Sequence, residues 1–328
     1  QLAAKGVREA ARVLGADVVH FHNTFPIVSP AAYRGAKDAG AAVVQTLHNY
    51  RLACVNALLF RSGRVCTDCV GRGPWPGMWR RCYRRSFAAS AAAAFMITHH
   101  RRRGTWLRDV DLYLAVSEYV RAVVIETGLA PERVRVKPNF LSPDPGLGPS
   151  ARSGAAYVGR LSEEKGIHTV LEAWRRHPEL PPLTVAGDGP CRKDVERDAG
   201  SERVRFLGSV QREEALRLLG ESVATVLPSL CPDAMPMSLV ESFAKGTPVV
   251  ASDVPSLKSL VKHQTTGIVF TAGDPDRLAQ AVWEAASPDT WSERSKVARS
   301  EYEDRYSAPA AIRALDQAYR WAIENRAS

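Results

Sequence analysis

The stretch CPDAMPMSLVE, residues 231–241, sets two carboxylates, Asp233 and Glu241, on either side of a turn rich in proline and methionine. The run SLVESFAKG that follows reads as a helix starting near Met237, which places Glu241 about one turn inside it. Free backbone N–H groups and the positive end of the helix dipole make such a start a seat for an anion, and Met235, Pro236 and Met237 form its cradle. A carboxylate just inside the helix can accept both hydroxyls of a ribose. Cations stand earlier in the chain. Arg160 ends the strand-like AAYVGR and Lys165 follows in SEEKG, one fork-shaped and one point-like positive group that can converge on a diphosphate. The plainer alternatives are that these two pair with Glu163 or Glu164, and that Asp233 only steadies the helix dipole.

Three histidines and four cysteines complete the set. His48 ends the run AAVVQTL, where its ring can donate a hydrogen bond to a ligand. His20 and His22 are two apart in DVVHFHN and share a sheet face. His22 and Asn23 sit nearer the strand's carboxyl end, and His20 reads as a satisfied core histidine. Cys54, Cys66, Cys69 and Cys82 are separated by 11, 2 and 12 residues, a CxxC flanked by two further thiols that fits structural zinc. Free thiols are the alternative, and a redox pair is disfavoured because CTDC follows a loop instead of opening a helix.

Elements that could position these groups alternate along the chain. ADVVHFHN, AAVVQTLHN, DLYLAVS and RVRVKPN read as strands, with SPAAYRGAKDAG and EYVRAVVIETG as helices between them. The proline- and glycine-rich LSPDPGLGPSARSG marks a linker, after which the pattern restarts. AAYVGR, LTVAGDG, VRFLG, ATVLPS and TPVVAS read as strands, HTVLEAWRRH, EEALRLLGES, SLVESFAKG and residues 274–286 as helices, and TTGIVF as a turn. Such alternation predicts two parallel sheets covered by helices, with ligands beyond the strands' carboxyl ends. Gly159, Gly187 and Gly208 join the candidates on that ground. Asp109 and Asp111 spell DVD but introduce a strand, which argues against a metal site there.

Several stretches resemble one known family. YVGRLSEEKGIHTVLEAW, TVAGDGP, RFLGSV, VLPSLCPDAMPMSLVESFAKGTPVVASDVP and GIVFTAGDPDRLAQAV resemble, in this order, the nucleotide-binding lobe of the retaining GT-B glycosyltransferases of family 4. DVVHFHN, VVQTLHNYR and DLYLAVSEYVR resemble the acceptor-side lobe. The resemblance implies an α/β protein of two Rossmann-like doubly wound lobes facing across a cleft: residues 1–143, a linker at 144–154, a nucleotide-sugar lobe at 155–305, and a helix at 306–328 crossing back. It implies a sugar moved from a nucleotide-diphosphate sugar to the hydroxyl of a glycan, lipid-linked or natural-product acceptor, with no cofactor required and zinc, if bound, structural. Glu241 then takes the ribose, Asp233 the sugar hydroxyls, and His48 the sugar near the reacting centre. Gly187 and Val210 fall in turns that the resemblance places near the donor. The chain departs from the pattern at Asp233 and Ala234, where the family commonly has glutamate and glycine, and an aspartate reaches about 1.5 Å less far. It departs again at Ser256, Lys258 and Ser259, read as helix-capping variation. The start at Gln1, inside helix-like sequence, implies that the first part of the first lobe is missing.

Bulk properties set limits on other classes. The 328 residues, 45% hydrophobic and 24% charged, fit two domains, and no apolar run approaches the ~20 residues of a membrane span. Sparse cysteine and no export signal point to a reducing cytoplasm. The formal charge is +9, and nine arginines between Arg72 and Arg108 meet no acid. With Trp75, Trp79 and Trp106 they fit an anionic or lipid-linked acceptor or peripheral contact with a membrane's inner face. No specific nucleic acid is expected. A basic zinc-loop protein binding nucleic acid explains the charge and thiols but not the second lobe, and a noncatalytic partner protein is the remaining alternative.

Overall fold

The computed structural model describes residues 2–25, 28–199 and 203–326. Gln1, on which the missing upstream part rested, and the last two residues of the expected C-terminal helix lie outside the described residues. The chain divides into two compact units, one of residues 1–61, 66–138 and 312–328, the other of residues 62–65 and 139–311.

The first unit is built on a four-stranded parallel sheet in the order β1 (Val18–His22), β2 (Ala42–Leu47), β3 (Leu112–Ala115), β4 (Val134–Val136). The middle strands β2 and β3 are buried along their whole length, as the continuous apolar runs of parallel strands require. Residues alternate between faces, so Ala42, Val44, Leu112 and Leu114 meet one layer. That layer is the helix Ala308–Glu324, whose Ala318 and Ala322 are buried among them. Asp111, just before β3, is buried and accepts from Lys37 Nζ at 2.9 Å and from the Val43 N–H at 2.7 Å, so the DVD stretch serves packing. Ser117 caps the helix Glu118–Glu126, its hydroxyl oxygen accepting from the Val120 N–H at 3.3 Å.

The second unit has a six-stranded parallel sheet made of β5 (Ala155–Val158), β6 (Leu183–Ala186), β7 (Val204–Gly208), β8 (Ala224–Leu227), β9 (Val249–Ser252) and β10 (Gly267–Phe270). Their order in space is β10-β9-β8-β5-β6-β7. The order reverses between β5 and β8, so their carboxyl ends diverge there and leave a crevice. Alternate residues of β5 serve different cores: Ala155 and Tyr157 pack with Trp174, Leu278 and Val282, while Ala156 packs with Leu218 and Leu219.

Two expectations change. TTGIVF, read as a turn, holds the edge strand β10, paired with β9 from Gly267↔Val249 to Phe270↔Ser252. Its glycine marks closeness, not turning: a Cβ on Gly267 would lie 1.9 Å from the Val249 carbonyl oxygen. Residues 144–154, expected as a linker, are fastened to the second unit. The Gly148 N–H donates to the Lys245 carbonyl at 3.1 Å, the Ser153 N–H to the Glu221 carbonyl at 2.9 Å, and Asp144 pairs with Arg299 at 2.6 Å. Among the described residues no helix is long and apolar enough to cross a membrane.

Candidate active site

In the second unit the crevice at the β5/β8 reversal is an open cavity of about 340 Å³. Its lining brings together Arg160, Lys165, Asp233, Pro236, Met237 and Glu241, residues up to 81 positions apart. Lys165 enters from a 3-10 turn, Glu163–Lys165, that ends at Gly166. Gly166 has φ 72° and a Cβ there would sit 1.9 Å from the Pro228 carbonyl oxygen, so only glycine lets the turn press against the end of β8. Lys165 pairs with Asp233, not with Glu163 or Glu164; Glu164 instead accepts from the Ser162 hydroxyl at 2.7 Å. Ser229 donates to the other Asp233 oxygen at 2.5 Å. Burial works against the Lys165 ammonium, but the charge and hydrogen bond of Asp233 outweigh it and raise its pKa.

The helix Met237–Ala244 opens into this cavity without a side-chain cap, since Pro236 stands at its N-cap and offers none. The first-turn N–H groups of Met237 and Ser238 therefore have no intrahelical acceptor. Glu241 is half-buried one turn in, and burial raises its pKa, partly offset by Arg212. Among the described residues its carboxylate accepts no hydrogen bond, and neither does the exposed Arg160 guanidinium donate one. Tyr157 holds the Arg160 carbonyl at 2.7 Å and so directs that residue's backbone.

Three further expected residues stand behind or beside that lining. Met235 is buried, its sulfur accepting from the Asn139 N–H at 3.3 Å, so it anchors the loop from inside. Val210 packs beside Leu218 and Leu219 at the end of β7. Gly187, at φ 144°, has its α-carbon pressed on Gly159, where a Cβ would fall 1.8 Å from the carbonyl oxygen. Tyr157 and Ser229 escaped the sequence reading. The one signal for Ser229 was its place two residues beyond β8, and Tyr157 reads as an ordinary core residue.

The first unit gathers His20, His22 and His48 on the sheet face covered by the helix Ala308–Glu324. The register pairs His22 with Thr46, and His48 lies two residues further on the same face. His22 Nδ1 and His48 Nε2 are 2.8 Å apart, and the rings stack at 5.1 Å. His20 is engaged at both nitrogens, by Tyr319 and Thr46 at 2.8 Å each. Tyr319 is 299 residues away in sequence, and nothing local announced it. His48 also lines a small cavity with Asn23, Asn49 and Arg51. The Arg51 guanidinium lies 4.8 Å from the ring centres of both Phe25 and Tyr83.

Burial, then the neighbouring His22 and Lys137, lowers His20 and His48 from 6.5 to about 4. Both are neutral near pH 7. Between about pH 6.5 and 4 the unfolded chain binds more protons on them than the folded chain, so stability falls as pH drops through that window. The contribution is on the order of 1–2 kcal/mol each after discount for partial exposure. A His20→Gln variant should show a shallower loss of melting temperature from pH 6.5 to 4 than the parent, by thermal unfolding; an unchanged slope contradicts the assignment.

Comparison with known proteins places these features in context. Residues 2–144 match the model described as Glycosyltransferase Family 4, and residues 152–287 the one described as Glycosyl transferases group 1. The chain is 34% identical over 182 residues to a glycogen synthase of Mycobacterium tuberculosis, covering 51% of this chain and 43% of that protein. It is 30% identical over 178 residues to the D-rhamnosyltransferase WbpZ of Pseudomonas aeruginosa, covering 52% and 46%. The matched stretch thus spans under half the length of these relatives. Among solved structures, Anabaena HepE in complex with UDP is similar with a TM-score of 0.70 at 17% identity, over 96% of this chain and 81% of that one. A glycosyltransferase from Rickettsia africae has the same TM-score at 15% identity, over 99% and 81%. Both neighbours share the GT-B fold with this chain.

Proposed function

The chain belongs to the family 4 glycosyltransferases, and from that premise we propose that it moves a sugar, with retention of configuration, from a nucleoside-diphosphate sugar to an acceptor hydroxyl. The observation that carries this reading is the single cavity holding Lys165, Arg160, an uncapped helix start and the Glu241 carboxylate, which accepts no hydrogen bond among the described residues. A diphosphate takes the cations and the first-turn N–H groups, and Glu241 accepts the ribose hydroxyls. Lys165 then exchanges Asp233 for a phosphate oxygen, which frees the Asp233 carboxylate for a sugar hydroxyl. The bond from the anomeric carbon to the diphosphate breaks while the acceptor oxygen bonds on the same face, and the acceptor's proton passes to a donor phosphate oxygen. The developing negative charge is met by Lys165, Arg160 and the helix start, so the proposal needs no metal. On the first unit, His22 engages His48 Nε2, which leaves His48 Nδ1 for a ligand there.

A UDP complex of a structural neighbour favours uridine donors. An acceptor with negative charge is supported by Arg51 and by the run of arginines, and the exposed Trp79, Phe87 and Phe95 beside that run favour one held at a lipid surface. Screening UDP-, GDP- and TDP-sugars should raise the melting temperature by several degrees with one donor class, since a ligand at about 100 times its Kd stabilises the native state by roughly 2.7 kcal/mol. No shift with any donor would transfer the weight to a noncatalytic partner protein.

A further inference from the structure

Residues 49–86 carry little regular structure: two two-residue strands, Phe60–Arg61 and Arg64–Val65, and the five-residue helix Trp75–Trp79. Such a segment has few ladder hydrogen bonds to hold it. Even so, Cys54, Val55, Leu59, Cys69 and Val70 are buried. Ala57, Leu59, Arg81, Arg84 and Arg85 stand at φ between 51° and 65°, conformations that non-glycine residues keep only when their surroundings enforce them. Something must cross-link this segment, and its contents name the means.

Cys54, Cys66, Cys69 and Cys82 line one small cavity, with Asn56, Asp68, Gly77 and Arg80 between them. Cys66 and Cys69 belong to one CxxC, Cys54 and Cys82 come from separate segments, and Cys69 lies within electrostatic reach of the other three. We propose that this cavity binds one structural zinc ion through the four cysteine sulfurs. Four thiolates match the all-sulfur tetrahedral set that zinc takes in structural sites, leaving no open coordination position. Outer contacts are already present. Asp68 pairs with Arg80, and Cys54 donates to the Asn56 side-chain oxygen at 2.9 Å. Gly77 is required at this cavity, because a Cβ would come 2.8 Å from Val55 Cβ and 3.3 Å from the Cys69 sulfur.

Among the described residues, the metal-capable atoms already within 4.8 Å of one another are those of His168, Cys191 and Asp194, and the four thiols are more widely spaced around their cavity. The first group is poorly suited. Its histidine is exposed, and Asp194 is occupied by His168 at 3.0 Å and Arg197 at 3.2 Å. Zinc entry at the thiol cavity draws the sulfurs inward and releases their protons.

The site has a consequence that rests on the proposed function. Arg51 and Tyr83, stacked at 4.8 Å, lie three residues before Cys54 and one after Cys82, so the ion fixes the stack beside His48 on the acceptor side. The test begins with elemental analysis of purified protein produced with zinc in the medium. About one zinc per chain is expected in the parent, and a loss of at least fivefold in both Cys66→Ser and Cys69→Ser. Cobalt substitution should give the intense visible absorption of a tetrahedral thiolate centre, lost in the same variants. A Cys191→Ser variant must keep its zinc. Absence of metal with six free thiols in denaturant overturns the proposal, as do two disulfides, or zinc that leaves with Cys191. Metal loss should raise the KM for acceptor while Kd for the donor nucleotide stays unchanged. Zinc without that KM effect leaves the site standing and removes only its catalytic consequence.

Discussion

Lys165→Ala should lower kcat by roughly 10²–10³, the range seen when one group aimed at developing negative charge is removed. Lys165 is well placed for such a loss. It lies half-buried in the crevice at the β5/β8 reversal, and Asp233 keeps it charged by raising its pKa. In a site of low dielectric a positive charge beside the leaving diphosphate counts for more than in water. Lys165→Arg tests geometry separately from charge. The guanidinium is planar and larger than the ammonium, so partial recovery is expected, not restoration. The measurement is single-turnover transfer from the donor identified by thermal shift, with Kd for the nucleotide taken in parallel. A kcat within threefold of the parent would remove Lys165 from the mechanism.

The second large effect concerns Asp233, and its two readouts should move in opposite directions. In the unliganded chain Asp233 is held by Lys165 and by Ser229, the latter at 2.5 Å. A diphosphate must compete with that carboxylate for the ammonium. Asp233→Asn removes the competing charge, so nucleoside diphosphate should bind as well as before or a few times tighter. Turnover should fall about 10- to 100-fold, the equivalent of one hydrogen bond to a charged partner worth roughly 1.5–3 kcal/mol. Asp233→Glu is the informative companion. It restores the residue common in the resembling family, but its extra methylene must fit beside Ser229 and the Lys165 turn, so it should change the preferred sugar more than the nucleotide. Equal loss of nucleotide binding and turnover in Asp233→Asn would mean that Asp233 merely holds Lys165 and the loop in place. The test needs donor titrations by calorimetry and initial rates with two sugars on one nucleotide.

The histidine and cysteine clusters of the first unit bear on the chemistry less directly. His48 and His20 titrate well below pH 7, so neither carries charge at neutral pH, and His48 offers a hydrogen bond instead of a cation. The stacked Arg51, by contrast, supplies positive charge on the same unit, close to His48 along the same cavity.

Much of this was legible along the chain because it depends on local order. Strand-helix alternation is written in hydrophobic periodicity, and a parallel sheet requires it, so both sheets and most of their helices could be read before any coordinates. The same holds for Arg160, Lys165, Asp233 and Glu241: each sits just after a strand or just inside a helix, and in such sheets those are the positions where strand ends open. What local order does not carry is which strand lies beside which. The order β10-β9-β8-β5-β6-β7 sets β5 against β8, and only that adjacency brings Lys165 to Asp233 and excludes Glu163 and Glu164 as its partner. Met235 showed the same limit in the other direction. It stands in the expected segment, yet its sulfur faces Asn139, because side-chain direction in a loop follows from packing, not from position. Tyr319 reaches His20 from 299 residues away, and four thiols spread over 29 residues surround one cavity. Residue types and spacing determined which chemistries this protein could perform; the pairing of distant segments, which no local pattern encodes, decided which groups meet to perform them.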